Sequence, residues 1–304
     1  MTFAQLMQHA QDITQKAAEM QKGEEYTDSH PVEYFKQQFA FIVPLFEPFS
    51  MMPDPANYDP LIEDLKEAMG QVDTGSVPST QLTSDVSFSN LDLAKITNTD
   101  GGYLQGWTGT AAMAFKENFL DTFNLVAGNQ FTALSTMKGV LQAHQAMWAA
   151  ARDNIDKIAE ATLDALDNTG GCSPSRAGFV FTVLSAVATV ASAVITISTG
   201  GATAPIVPVA ASAAVGNTVV SGHNSKIGGA TAETIISSMQ QAVADLRQHI
   251  QDVEQSQIAD RVTALSAAFA QYEDKLVAVR PALAGMSPKD LGGSDGMGLP
   301  PGVG

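Results

Sequence analysis

Five histidines and one cysteine are the side chains of this 304-residue chain best suited to metal or nucleophilic chemistry, and their spacing argues against both. His9, His30, His144, His223 and His249 are scattered, with no HExxH and no pair at ligand spacing, so a zinc site is not expected. His144 falls on the apolar stripe of a long predicted helix and reads as a core histidine. Cys172 stands in the turn-like stretch Gly170-Gly171-Cys172-Ser173-Pro174. A single thiol allows neither an internal disulfide nor a CxxC metal site, and no His or Lys lies close in sequence to activate it. The Gly-rich stretch from Gly222 to Gly229 precedes a helix but lacks the GK[ST] ending of a phosphate loop, and no GxSxG occurs. Asp153, Asp156, Glu160 and Asp164 have the spacing of a solvated helix face. The expectation is a protein that is not an enzyme and carries no metal or cofactor.

Charge narrows the partners. Sixteen Lys and Arg stand against 32 Asp and Glu, a net charge of −16 that repels a phosphate backbone, so nucleic acid is not an expected partner. With 45% hydrophobic residues the chain can bury a substantial core. Met1 to Met20 alternates apolar and polar residues without a basic region leading into an apolar run, so no Sec-type signal peptide is expected there.

The elements that would position any site are helical. Phe3, Leu6, Met7, Ala10, Ile13, Ala17 and Met20 share one face of a first helix ending near Gly23. Pro31, Pro44, Pro48, Pro53 and Pro55 then allow a short helix, about Val32 to Val43, and an irregular Phe/Met-rich loop. A helix is predicted from Tyr58 to Met69, then a loop from Asp73 to Thr83. From Thr110 to about Asp167 an apolar stripe runs in steps of three and four through Phe115, Phe119, Phe123, Val126, Ala133, Met137, Val140, His144, Trp148, Ala151, Ile155, Ile158, Thr162 and Ala165. At ~1.5 Å per residue it would form a helix of roughly 85 Å. A second stripe runs from Ile235 through Met239, Leu246, Ile250, Val253, Gln257, Val262 and Leu265 to Val279, and Pro281 stops it. The predicted fold class is all-α, an elongated bundle built on a long antiparallel helix pair. The segments are 1–57, N-terminal helices and the Pro/Phe/Met-rich loop; 58–170, a helical hairpin; 171–229, a connector; 230–284, the long C-terminal helix; and 285–304, a Gly/Pro tail expected to be disordered.

The connector is unusual in carrying no Asp, Glu, Lys or Arg from Ala177 to Ser225. Phe179, Phe181, Leu184, Val187, Val194 and Ile197 lie in an apolar run from Gly178 to Ser198, followed by Thr199-Gly200-Gly201 and a weaker run from Ile206 to Val220. Some 20 apolar residues suffice to span a bilayer, but Thr182, Ser185, Thr189, Ser192 and Thr196 favour close helix contact over free lipid. A helical hairpin buried in protein and one that inserts in a membrane are both open readings.

One motif stands out. Gly106-Trp107-Thr108-Gly109 opens onto Thr110-Ala111-Ala112-Met113-Ala114-Phe115, a tight aromatic corner in which Thr108 or Thr110 can cap the long helix behind it. This pattern, with Phe115 and Phe119 following, resembles the WXG family of type VII (ESX) secretion substrates over about residues 55–170. The chain would be a large, decorated member, since the loop ahead of Trp107 and the chain itself are longer than in the simple two-helix members. The resemblance implies a non-enzymatic protein exported as a helical assembly, secreted or on the cell surface. Its implied partners are the type VII machinery and a second copy or a small helical protein. Trp107, Gly109 and Phe115 would form the secretion turn. The family's export signal, a Tyr ahead of an acidic residue at helical spacing, is absent in strict form; Phe269 with Glu273 is the nearest substitute, an aromatic and a carboxylate one turn apart. The competing expectation is a helical membrane-inserting or pore-forming effector that uses the 177–220 hairpin.

Overall fold

The computed structural model describes residues 2–25, 30–74, 86, 90–97, 115–168, 177–180, 196–198, 203–205, 224–277 and 287. The fold is all-α. Its helices are α1 (Phe3–Glu24), α2 (Val32–Gln38), α3 (Ile42–Phe46), α4 (Asp59–Val72), α5 (Leu91–Thr97), α6 (Asp121–Asn168), α7 (Ala232–Asp252), α8 (Asp260–Gln271) and α9 (Glu273–Leu276). Two 3₁₀ turns, Glu47–Met51 and Pro55–Tyr58, join α3 to α4. Two π-helical turns precede α6 and α8, at Lys116–Leu120 and Val253–Ala259.

The chain divides into two compact units, each assembled from separated stretches. The first unit takes Met1–Asp59, Gln142–Ala188 and Ala213–Ala259. Its core is one apolar cluster in which Leu6, Ala10, Ile13 and Ala17 of α1 join Ile155, Ile158 and Ala165 of α6 and Ile235, Met239 and Leu246 of α7. Spacings of three and four put these residues on one face of each helix, and the alanines among them let backbones approach closely. The proline-rich segment is folded onto this core. Phe46 and Phe49 are buried, the Arg247 guanidinium donates to the Leu45 carbonyl at 2.5 Å and sits 5.2 Å from the centre of the Phe49 ring, and Arg152 donates to the Met52 carbonyl at 3.0 Å.

α7 starts from a rigid corner. The Thr231 side chain accepts from the Thr234 backbone, and the Glu24 carboxylate at the end of α1 accepts from the Ala232 N–H at 2.9 Å. Gly228 leads in with φ of 154°, and a Cβ on Gly229 would lie 2.0 Å from Thr234 Oγ1, so both positions require glycine.

The second unit takes Pro60–Leu141, Thr189–Ser212 and Asp260–Gly304. It buries Ile62 and Met69 of α4, Val126 and Phe131 of α6, and Leu265 and Ala268 of α8, together with the polar Asn129, Ser135, Thr136 and Lys138. Asn129 Nδ2 donates to the Lys275 carbonyl at 3.0 Å and Gln130 Nε2 to the Leu276 carbonyl at 2.6 Å. Asn90 caps α5 through its Oδ1 and reaches back to the Gln71 carbonyl at 2.9 Å.

Four features differ from the sequence reading. The connector, expected to be helical, is extended where it is described. Ala177–Val180 pairs antiparallel with Asn224–Ile227, from Ala177 with Ile227 to Val180 with Asn224, and Thr196–Ser198 pairs with Thr203–Pro205. Gly178, Val180, Thr196, Ile197 and Thr203 are weak helix formers. The predicted Val32 to Val43 helix is two helices, α2 and α3, separated at Phe39–Phe41. The second long stripe also shifts. The π-helical turn adds a residue, so Ile258 is buried after Val253 and Val262 is 49% exposed. On α6, Met137 is 40% exposed in place of the core position its spacing suggested.

Candidate functional site

At the start of the long helix, Phe115 stands directly before the π-helical turn. Its ring lies 5.0 Å from that of Phe119, which lies 5.6 Å from Phe123. Residues four apart lie over one another on a helix, and tilted ring pairs at these separations are favourable contacts. Trp107 and Gly109 lie outside the described residues, so the described part of the motif is this aromatic ladder.

Phe269 and Glu273 do not share an uninterrupted helix. α8 ends at Gln271, Tyr272 takes φ −119° and ψ 30°, and Glu273 begins α9. Phe269 packs with Leu265, Ala268 and Tyr272, while Glu273 is exposed. The four-residue spacing therefore spans a break.

In the connector, Phe179 and Ile197 are strand residues paired with Ser225 and Ala204. Phe181, Leu184, Val187 and Val194 lie outside the described residues, as does Cys172. Among the described residues no helix is long and apolar enough to cross a membrane, and no group of three His, Cys, Asp or Glu residues is placed to hold a metal ion.

The described part of the Gly-rich stretch before α7, Asn224 to Gly229, does not form an anion cradle. Asn224–Ile227 is strand, and the first amides of α7 are taken by Thr231 and Glu24, so a carboxylate of the chain itself sits where an anion would be held.

A polar cluster that sequence spacing did not bring together forms within the first unit. His144 Nδ1 lies 3.5 Å from the Tyr58 hydroxyl, and its Nε2 lies 3.8 Å from Glu254 Oε1 without a hydrogen bond. The Tyr58 ring meets the imidazole edge-on at 5.8 Å, and Trp148 lies one turn along at 6.3 Å. Beside them, Gln145 Nε2 donates to Asp59 Oδ1 at 2.6 Å and to the Pro55 carbonyl at 3.0 Å. Burial lowers the His144 pKa from 6.5, and the Glu254 charge pulls it partly back. The sequence signal was a histidine between Val140 and Trp148 on an apolar stripe; nothing in spacing alone pointed to Tyr58, 86 residues away, or Glu254.

Two more imidazoles of this unit face carboxylates, His9 to Asp156 and His30 to Glu25, each at 3.6 Å. Searches for similarity return no matching family model, curated protein or solved structure.

Proposed function

We propose that this chain is a non-enzymatic substrate of a type VII secretion system that acts at or outside the cell envelope by assembling with itself or with a small helical partner. The observation that carries the reading is the Phe115, Phe119 and Phe123 ladder, placed directly behind the Trp107-Thr108-Gly109 sequence at the head of a 48-residue helix. In this reading Trp107 and Gly109 form the turn presented to the export machinery and Phe115 braces it. Phe269 and Glu273 are weaker as an export signal, because the break at Tyr272 separates them. The test is fractionation of the native host with and without its secretion ATPase. Loss of the protein from the culture filtrate or cell surface of the mutant is expected; unchanged levels overturn the proposal, as does confinement to the cytosol in both strains.

A second reading, a membrane-inserting effector, draws support from one observation. The two ends of the charge-free stretch from Ala177 to Ser225 are held side by side by the antiparallel pairing of Ala177–Val180 with Asn224–Ile227. Liposome flotation and dye release of wild type against Val187→Asp and Val194→Asp discriminate. Insertion by wild type with soluble, inert variants favours this reading. A wild type that neither floats nor leaks vesicles removes it.

A further inference from the structure

The geometry points to His144 as a pH-sensitive clasp that holds three sequence-distant segments together while its ring is neutral and releases them when it takes a second proton. The segments are the Pro55–Tyr58 turn, α6 from Gln142 onward and the Val253–Ala259 π-helical turn, all of the first unit.

Only one neutral tautomer suits both neighbours. With the proton on Nε2, Nδ1 accepts from the Tyr58 hydroxyl at 3.5 Å and the Nε2–H faces Glu254 at 3.8 Å. A second proton, on Nδ1, turns that acceptor into a donor, so the Tyr58 hydroxyl must reverse its role. It also places a cation among the Tyr58 and Trp148 rings in a half-buried position. The residues one turn away on α6, Val140, Leu141, Met147 and Trp148, are uncharged. Tyr58 is the titratable group facing the ring from the 3₁₀ turn, and Glu254 is the carboxylate facing it from the π-helical turn. Asp59, the next carboxylate from α4, is engaged by Gln145. Glu254 is 49% exposed and lies beyond hydrogen-bond distance, so it offsets only part of the cost of burying the cation.

Burial acts in the same direction. The folded ring is protonated at lower pH than the unfolded ring, so the unfolded chain binds the proton first as the solution is acidified. The contribution of the clasp is complete above pH 6.5 and falls as pH drops through that value toward the lower folded pKa.

The experiment follows the full chain at about pH 7.5 and 5.5, on either side of the ordinary imidazole pKa. Hydrogen exchange, corrected for its intrinsic pH dependence, is read on peptides covering 55–58 and 253–259. The His144 ring is titrated by NMR and assigned by its loss in His144→Gln. Expected is a fall of about fivefold or more in protection of both segments at the lower pH, absent from His144→Gln. The other four histidines, His9, His30, His223 and His249, are the same in both chains, so the difference between the chains reports His144 alone. In Glu254→Gln the ring midpoint moves to lower pH, because the carboxylate that favours the cation is gone. Equal pH dependence in wild type and His144→Gln overturns the clasp, as does a wild-type ring midpoint at or above 6.5. Should His144→Gln fail to fold, the ring is assigned by its through-space contacts with the Tyr58 and Trp148 rings, and the wild-type titration and Glu254→Gln still decide: a midpoint that does not fall in Glu254→Gln overturns the clasp.

Discussion

The two halves of α6 bury different chemistry. From Gln142 onward the buried face is mostly apolar, Ala143, Met147, Ala151, Ile155, Ile158, Ala159 and Ala165 with Asn154 and Thr162 as its polar members, and up to Leu141 four polar residues, Asn129, Ser135, Thr136 and Lys138, are buried beside Val126, Ala127, Phe131, Ala133 and Val140. In the second half, removal of apolar area from water is the stabilising term. In the first half many buried polar groups must be matched by hydrogen bonds, and the net gain of each bond is small. Thr132 and Thr136 turn their hydroxyls back on the carbonyls one turn earlier, and Asn129 and Gln130 reach to the carbonyls of α9. Helical periodicity is common to both halves, whereas the apolar core is concentrated in the second.

The comparison fails most visibly if a core residue of the second half proves dispensable. Ile158→Ala removes a fully buried side chain of the α1, α6 and α7 core and should cost ~2–5 kcal/mol in urea unfolding. A loss below about 1 kcal/mol would mean that the first unit does not rest on this cluster.

Gly229→Ala sharpens the same point at the corner that sets α7 on this core. The new Cβ meets Thr234 Oγ1 and lies near the Ile235 backbone, so the capping box must distort, and a loss of ~1–3 kcal/mol in thermal or urea unfolding is expected. Serine at Thr231 keeps the cap and serves as the conservative control.

The smallest effect belongs to the polar half. Asn129→Ala leaves the Lys275 carbonyl without its side-chain donor and should lower stability by ~0.5–1.5 kcal/mol. Its clearer signature is local: faster hydrogen exchange at 272–277, while the peptides of α1 are unchanged. Equal loosening of α1 would show that the two halves of α6 are not energetically separable.

What could be read from sequence follows the strength of local periodicity. α1 was legible to within two residues because its apolar positions recur strictly at three and four and Thr2 begins the capping box. α6 was legible for the same reason, including the burial of Ile155, Ile158 and Thr162. The π-helical turns were not separated from the flanking helices. A five-residue step from Gln257 to Val262 in the predicted stripe was the trace of the inserted residue, and the structure places the shift between Val253 and Ile258. The His144 cluster was invisible because its contacts are long-range, joining residues that no spacing rule links. The connector's described ends misled for another reason: apolar composition without polar alternation does not distinguish strand from buried helix.

The base pairing of Ala177–Val180 with Asn224–Ile227 makes the 43 residues of 181–223 an insertion in the engineering sense. Val180 and Asn224 are facing partners, so their Cα atoms are held about 4.5–5.5 Å apart, a gap that a two-residue turn can bridge. Seen from the two paired strands, the chain between them meets the boundary condition of a hairpin loop, two ends held side by side. Its length and composition can therefore diverge without moving the two ends that α6 and α7 must meet, which makes this the graft point at which a helical body could exchange one apolar payload for another.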